Sequence, residues 1–370
     1  MAAWSIAGSM IYRLLGRLFP ITAPPESPRR IVVLRPCCIG DVVIATAALQ
    51  ALRRAYPEAH ITFAVSQWAR PIVEGHPAVD EILDTGPAAL PVKSPRYFIR
   101  FVRQLRGGQY DLAVSLVRSP LMSLAVWLSR IPYRVGLDSD GRGFGYNLRA
   151  PVSPDVPRHE AEIYLDAVRI LGLDIDIAYP YIPVTPEAKA AVRAILAEYG
   201  IGERYVVINP AGGSNPGMVM DAKRWPVENF AALADWLHTH LSADIVLVGG
   251  PKDGQLIQQM QQRMQSHSVP FVGTLTFPEI AALAHGAQLY VGNDTGLTHF
   301  AAATGIRTVM ILGPSDPARY APYNPNTLAI WRPYTLSGGV NKGVPEGWTW
   351  QTHGITFPEA LNQIENWLTS

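Results

Sequence analysis

The sequence predicts an α/β fold built as two Rossmann-like, doubly wound halves that face each other across a cleft. Three observations predict it. The 370 residues exceed what one hydrophobic core usually serves and suit two. Short β-branched runs alternate with stretches of helical spacing along nearly the whole chain. Midway, Tyr179-Pro180-Tyr181-Ile182-Pro183-Val184-Thr185-Pro186 interrupts that alternation; its prolines forbid a helix and make it a linker.

The first element, within residues 1–28, stands apart. Trp4, Ile6, Met10, Ile11, Leu14, Leu15, Leu18 and Phe19 recur at helical spacing, while Arg13 and Arg17 lie four apart on another face. Such an amphipathic helix either docks on the inner face of the cytoplasmic membrane, its basic side meeting lipid phosphates, or packs on its own protein. A cleaved signal peptide is disfavoured because the arginines interrupt the apolar stretch rather than precede it. No run of about 18 apolar residues offers a spanning helix.

Residues 29–180 make the first half. Ile31-Val32-Val33-Leu34 suits a strand buried on both faces, which implies a parallel sheet. A turn at Gly40, a helix over 41–56 and the run Ile61-Thr62-Phe63-Ala64-Val65 complete a βαβ unit. A helix near 97–105, a strand near 112–116, a helix near 121–128 and a strand around 134–136 continue it. Residues 187–345 repeat the plan: helices over 187–199, 227–241, 253–265, 278–285 and 296–304 accompany strands at 205–208, 245–248, 289–291 and 308–311. The stretch 338–354, rich in Gly and Trp, reads as irregular, and in 346–370 a helix over 357–368 is placed to cross back to the first half.

Charge excludes several function classes. Lys plus Arg total 31 and Asp plus Glu 30, so no global field draws the chain to nucleic acid or anionic lipid, and any anion binding must be local. The only cysteines, Cys37 and Cys38, adjoin each other; they cannot staple distant segments and have no partner at zinc-ligand spacing. A reducing cytosol and the absence of a metal site are the expectations.

Three loops carry chemistry, each between a strand and the next helix, where sheets of this kind bind ligands. In Arg35-Pro36-Cys37-Cys38-Ile39-Gly40-Asp41, Gly40 lets the backbone approach a ligand, and the helix start, with Cys38 beside it, offers amides to an anion or a polar sugar. Asp41 either takes a proton from an incoming hydroxyl or caps the helix; the helix dipole favours its charge and weakens it as a base. In Asn209-Pro210-Ala211-Gly212-Gly213-Ser214, Gly212 and Ser214 can wrap oxygens, and Lys223 and Arg224 then crowd positive charge at the next helix. Two cations there call for an anion, which a diphosphate supplies; the alternative is a solvated pair. In Gly292-Asn293-Asp294-Thr295-Gly296-Leu297-Thr298-His299, small and hydroxyl residues describe a phosphate or carboxylate cradle, with His299 one turn beyond Thr295.

Taken in order, Ile39-Gly40-Asp41, Lys223-Arg224-Trp225-Pro226, Val248-Gly249-Gly250-Pro251, the loop 292–299 and Gly313-Pro314-Ser315-Asp316-Pro317 resemble the ADP-heptose:lipopolysaccharide heptosyltransferase family, family 9 of the GT-B glycosyltransferases. The resemblance covers residues 31–312. It implies inverting transfer of a sugar, heptose in the family, from a nucleotide-diphosphate donor such as ADP-heptose to a lipopolysaccharide-type or other glycan or lipid acceptor. It implies no cofactor and no obligatory metal. It further implies that Asp41 is the catalytic base on the acceptor side, that Lys223 binds donor phosphate, and that Asp294, Thr295, Gly296 and His299 line the donor site. Two features depart from the pattern. The family has small hydroxyl residues where Cys37 and Cys38 stand, and Asp253 with Gly254 falls where an acidic residue is expected on the donor ribose, which makes Asp253 a candidate nucleotide contact. Two other readings stay open: a nucleotide-sugar epimerase of the same fold, which needs no acceptor, and a sugar-binding module without turnover. A dehydrogenase is disfavoured because no G-x-G-x-x-G follows the first strand.

Overall fold

The chain divides at the proline-punctuated linker into two units, Met1–Pro180 and Tyr181–Ser370. A computed structural model describes residues 2–18, 20–87, 92, 94–153, 156–176, 178–215, 218–336 and 344–370; of 2–7, 214, 215 and 218 it describes the backbone alone. Part of the Gly- and Trp-rich stretch, 338–343, and Phe19 of the N-terminal pattern lie outside the described residues.

In the first unit, α1 (Ala2–Arg17) precedes β1 (Arg30–Leu34), α2 (Ile39–Ala55), β2 (His60–Val65), β3 (Glu81–Asp84) and α3 (Pro95–Gly107). Then come β4 (Leu112–Ser115), α4 (Pro120–Leu128), β5 (Tyr133–Asp138), β6 (Leu148–Pro151) and α5 (Glu160–Arg169). The sheet is parallel in the order β3-β2-β1-β4-β5-β6, with Val32 opposite Thr62 and Ala113. Ile31 to Leu34 are wholly buried because helices cover both faces of β1. α2 packs on α5, while α3 and α4 bury Phe101, Leu105, Met122 and Val126 against Val32, Leu34 and Ala113. Both α3 and α4 start on a serine, Ser94 or Ser119, whose hydroxyl accepts from a first-turn amide, followed by a proline that has no amide to satisfy.

The second unit holds α6 (Pro186–Glu198), β7 (Tyr205–Asn209), the antiparallel pair β8 (Ser214–Asn215) and β9 (Met218–Val219), α7 (Val227–Leu241), β10 (Asp244–Gly249) and α8 (Gly254–Gln261). β11 (Ser268–Val272), α9 (Phe277–Gly286), β12 (Leu289–Asn293), α10 (Gly296–Ala302) and β13 (Thr308–Ile311) follow. α11 (Pro317–Tyr320), β14 (Thr327–Ile330), α12 (Trp350–His353) and α13 (Phe357–Thr369) complete it. Its parallel sheet runs β11-β10-β7-β12-β13-β14, the same winding as the first when strands are counted from β7. In each unit the winding reverses beside the first strand, between β1 and β4 and between β7 and β12. Loops diverge there at the carboxyl ends, and a doubly wound sheet binds its ligand at that point. Asp41 follows β1, the loop 210–213 follows β7 and Asp294 follows β12, so all three chemical loops start at a switch point.

The C-terminal helix expected over 357–368 is α13, and it buries Ala360 and Ile364 in the core of the second unit, against β14 and α7. Arg307 fixes its end, donating to the Trp367 carbonyl at 2.8 Å with its guanidinium 4.5 Å from the Trp367 ring centroid. The outer face of edge strand β14 needs an apolar cover, and α13 supplies it. Among the described residues no helix is long and apolar enough to cross a membrane.

Candidate functional site

In the first unit, α2 starts after Cys38, which caps it through extended backbone with no side-chain hydrogen bond. Asp41, in the first turn next to Gly40, does not cap. Its Oδ2 pairs with Arg35 Nη2 at 2.6 Å and its Oδ1 accepts from the Tyr164 hydroxyl at 3.1 Å. The capping alternative is set aside by this geometry. Arg35 is itself held: its Nη1 donates to the Leu116 carbonyl at 3.3 Å and its guanidinium lies 5.4 Å from the Tyr164 ring centroid. Burial opposes its charge, but Asp41 beside it outweighs that and keeps the guanidinium firmly protonated. Burial likewise pushes the Tyr164 phenol far up, so it remains a donor to Asp41. Arg118 completes the layer, donating to both oxygens of buried Glu160 at 2.7 and 2.8 Å. Each Asp41 oxygen thus accepts one bond and keeps a second lone pair, and the side chain is 28% exposed, so a proton can still reach it. The Cys38 thiol, hydrogen-bonded to Cys37 and half-buried, is pushed up by both effects and presents a neutral sulfur at the start of α2.

In the second unit the loops after β7 and β12 lock together. Asn293, wholly buried, accepts from the Trp225 amide at 2.9 Å and donates to the carbonyls of Pro210 and Ala211 at 2.9 and 3.0 Å. Gly212 sits at φ +119°, and a Cβ there would fall 1.9 Å from Thr295 Cγ2; only glycine lets the two loops touch. Thr295 caps α10, its hydroxyl accepting from the Thr298 amide, and Gly296 is the first helical residue. Lys223, at the end of the 3-10 turn Asp221–Lys223, places Nζ 2.6 Å from Asp294 Oδ2, which also accepts from the Ser315 hydroxyl. His299 Nε2 stands 3.9 Å from the other Asp294 oxygen, and both side chains are buried. Burial alone would raise the Asp294 carboxyl, but Lys223, His299 and the bonds from Lys223 and Ser315 outweigh it and hold it below the ordinary carboxylate value.

The structure therefore joins Gly212, Lys223, Arg224, Asp294, Thr295, Gly296 and His299. Arg224 enters as a brace, Nε donating to the Gly212 carbonyl at 2.8 Å and Nη1 pairing with Asp221 at 2.9 Å. Asp253 stands outside this network: at the carboxyl end of β10 it accepts from the Gly250 amide at 2.8 Å and shapes that turn. Ser214 lies in β8, and its side chain is outside the described residues. Arg35, Tyr164, Asn293 and Ser315 were not among the residues singled out from sequence. Three of them stand within the loops already noted, whereas Tyr164 lies 123 residues from Asp41 and carries no local signal. Among the described residues no cluster of three or more His, Cys, Asp or Glu is placed to hold a metal ion. Asn293→Ala leaves one amide and two carbonyls unpaired in the core, so it should cost about 3 kcal/mol of stability in thermal or denaturant unfolding.

Two doubly wound units, each with its chemistry at the switch point, match one protein family by sequence as well. The sequence profile of glycosyltransferase family 9 (heptosyltransferase) matches residues 98–345. The chain belongs to this family. It is similar to lipooligosaccharide heptosyltransferase 2 of Haemophilus influenzae, with 28% identity over 355 residues, 91% of this chain and 99% of that one. Among solved structures, a glycosyl transferase family 9 protein from Veillonella parvula superposes with TM-score 0.80 at 23% identity, over 94% of this chain and 99% of that one. The E. coli ADP-heptose lps heptosyltransferase II superposes with TM-score 0.72 at 22% identity, over 92% and 98%. The family 9 member described here is a glycosyltransferase of GT-B fold.

Proposed function

We propose that this glycosyltransferase moves heptose from ADP-heptose, with inversion, to a lipopolysaccharide-type acceptor at the inner face of the cytoplasmic membrane. The observation that carries the reading is the Lys223–Asp294 pair with Ser315 and His299, a cation held in a buried cradle at a switch point where a doubly wound sheet takes a phosphorylated ligand. The names of the similar chains supply heptose and ADP. On this reading the donor diphosphate draws Lys223 from Asp294, and Lys223 with the amides at Thr295 and Gly296 meets the charge that builds on the leaving group. Asp253 turns its second oxygen to the ribose. Asp41 takes the proton of the acceptor hydroxyl late, as the new glycosidic bond forms to the anomeric carbon, and a late transfer tolerates a weak base. Cations and amides carry the charge, so no metal is required.

The test is incubation with ADP-heptose with and without a heptose-acceptor glycan, in EDTA. ADP release that depends on the acceptor is expected. A free sugar formed without acceptor would move the chain to the epimerase reading, and binding without turnover to a sugar-binding module.

A further inference from the structure

We infer that α1, α3 and α4 together form a docking face for anionic lipid. The inference rests on the proposed transfer to a lipid-anchored acceptor and assigns that reading a surface. α3 packs on α4, and α1 is joined to them through the segment between β5 and β6. α3 and α4 share one core, and the loop between β5 and β6 is tied to α4 by the Gly145 amide, which donates to Ser123 Oγ at 2.7 Å. α1 rests on that same loop and on β6: Tyr12 stacks on Phe144 of the loop with centroids 5.9 Å apart, and Arg149 of β6 donates to the Gly16 carbonyl at 2.9 Å.

With its inner side so placed, α1 turns a continuous apolar stripe outward. Met10, Ile11, Leu14 and Leu18 are 61%, 55%, 58% and 75% exposed, values that no fold-stabilising role explains. Ile99 of α3 and Trp127 of α4 extend the apolar surface, and an exposed tryptophan suits the membrane interface. The second unit exposes far less of this kind: Tyr181, Tyr199 and Val219 are its large exposed apolar side chains among the described residues.

Charge chooses the occupant. α1, α3 and α4 contain no Asp or Glu. Arg96, Arg100 and Arg103 recur on one exposed side of α3, and like charges at this spacing repel one another. Neither these three nor Arg17 has an ion-pair partner among the described residues; Arg13 meets Asp140 only at 3.8 Å. A sheet of lipid phosphates answers both features at once, taking the apolar stripe below the headgroups and the arginines at their level. A second copy of the chain fits worse, since a two-fold contact would set arginines against arginines.

The test is cosedimentation of the full chain with phosphatidylcholine vesicles, with or without phosphatidylglycerol. Binding is expected only with phosphatidylglycerol, weakened by salt. Leu14→Glu/Leu18→Glu should abolish it, and Arg100→Gln/Arg103→Gln should lower partitioning about five-fold per arginine. All four positions are exposed, so the thermal midpoint and transfer to a delipidated, water-soluble acceptor should hold in both variants. Wild-type protein left in the supernatant with both vesicles, or variants that bind like wild type, would overturn the inference. So would a solution dimer that Leu14→Glu/Leu18→Glu converts to monomer, which assigns the face to a second copy. If vesicle binding fails while soluble-acceptor transfer persists, the docking face falls and the transfer reading stands. Vesicle binding without any transfer to the soluble acceptor keeps the face and removes the transfer reading.

Discussion

Asp41→Asn is expected to lower turnover about a thousand-fold while leaving ADP affinity unchanged, the loss a positioned general base typically accounts for. Asparagine is the informative replacement. Its side-chain oxygen still accepts from Tyr164 or Arg35, which stand 3.1 and 2.6 Å from the carboxylate, so the layer formed with Arg118 and Glu160 keeps its shape. What asparagine lacks is a site that can take a proton. Both replacements remove the counter-charge of Arg35, only 16% exposed, but alanine also takes away the oxygen that Arg35 and Tyr164 donate to, so its loss of activity would mix chemistry with a larger loss of stability. The measurement is the pair of kcat with acceptor and the thermal shift caused by ADP. An Asp41→Asn enzyme with parental kcat removes Asp41 from the chemistry. One with parental kcat but lowered stability shows the residue to be a clamp on Arg35.

The central strands were legible because they are buried on both faces. Val32 and Val33 in β1, Val206 and Val207 in β7 and Val246 and Leu247 in β10 stand in unbroken apolar runs, and each was located to within a residue or two. In the two six-stranded sheets the strands missed, β3, β6, β11 and β14, are the four edges, and the short pair β8 and β9 was missed as well. An edge strand has one neighbour and a partly wet flank, so β3 can begin with exposed Glu81, β6 can end on Pro151 and β11 can carry Pro270. None of these makes an apolar run. The site divides along the same line. Gly212, Lys223 and the loop 292–299 announce themselves by local spacing, whereas the pairing of Lys223 with Asp294 bridges 71 residues and that of Tyr164 with Asp41 bridges 123. Such contacts follow from the strand order, in which β7 adjoins β12 and β1 adjoins β4, and strand order is what a linear reading lacks.

Lys223→Met should weaken ADP binding about thirty-fold and reduce turnover further, because a charge-assisted bond to phosphate contributes roughly 1.5–3 kcal/mol and its share grows as the leaving group charges. The variant has a second effect that must be separated from the first. Lys223 Nζ is 14% exposed and lies 2.6 Å from Asp294, itself 5% exposed, so its loss strands a buried carboxylate and should cost about 3 kcal/mol at neutral pH. The sign is fixed by Asp294: its carboxyl is held below the unfolded value, so the stability it contributes is complete above about pH 4 and disappears as pH falls through the folded value. The stability gap between wild type and Lys223→Met should therefore close in acid. Adding Asp294→Asn to Lys223→Met neutralises the stranded charge and should restore most of the stability at pH 7. Donor binding should stay weak in that double variant. If donor affinity returns together with stability, Lys223 serves only to neutralise Asp294, and the diphosphate is held elsewhere.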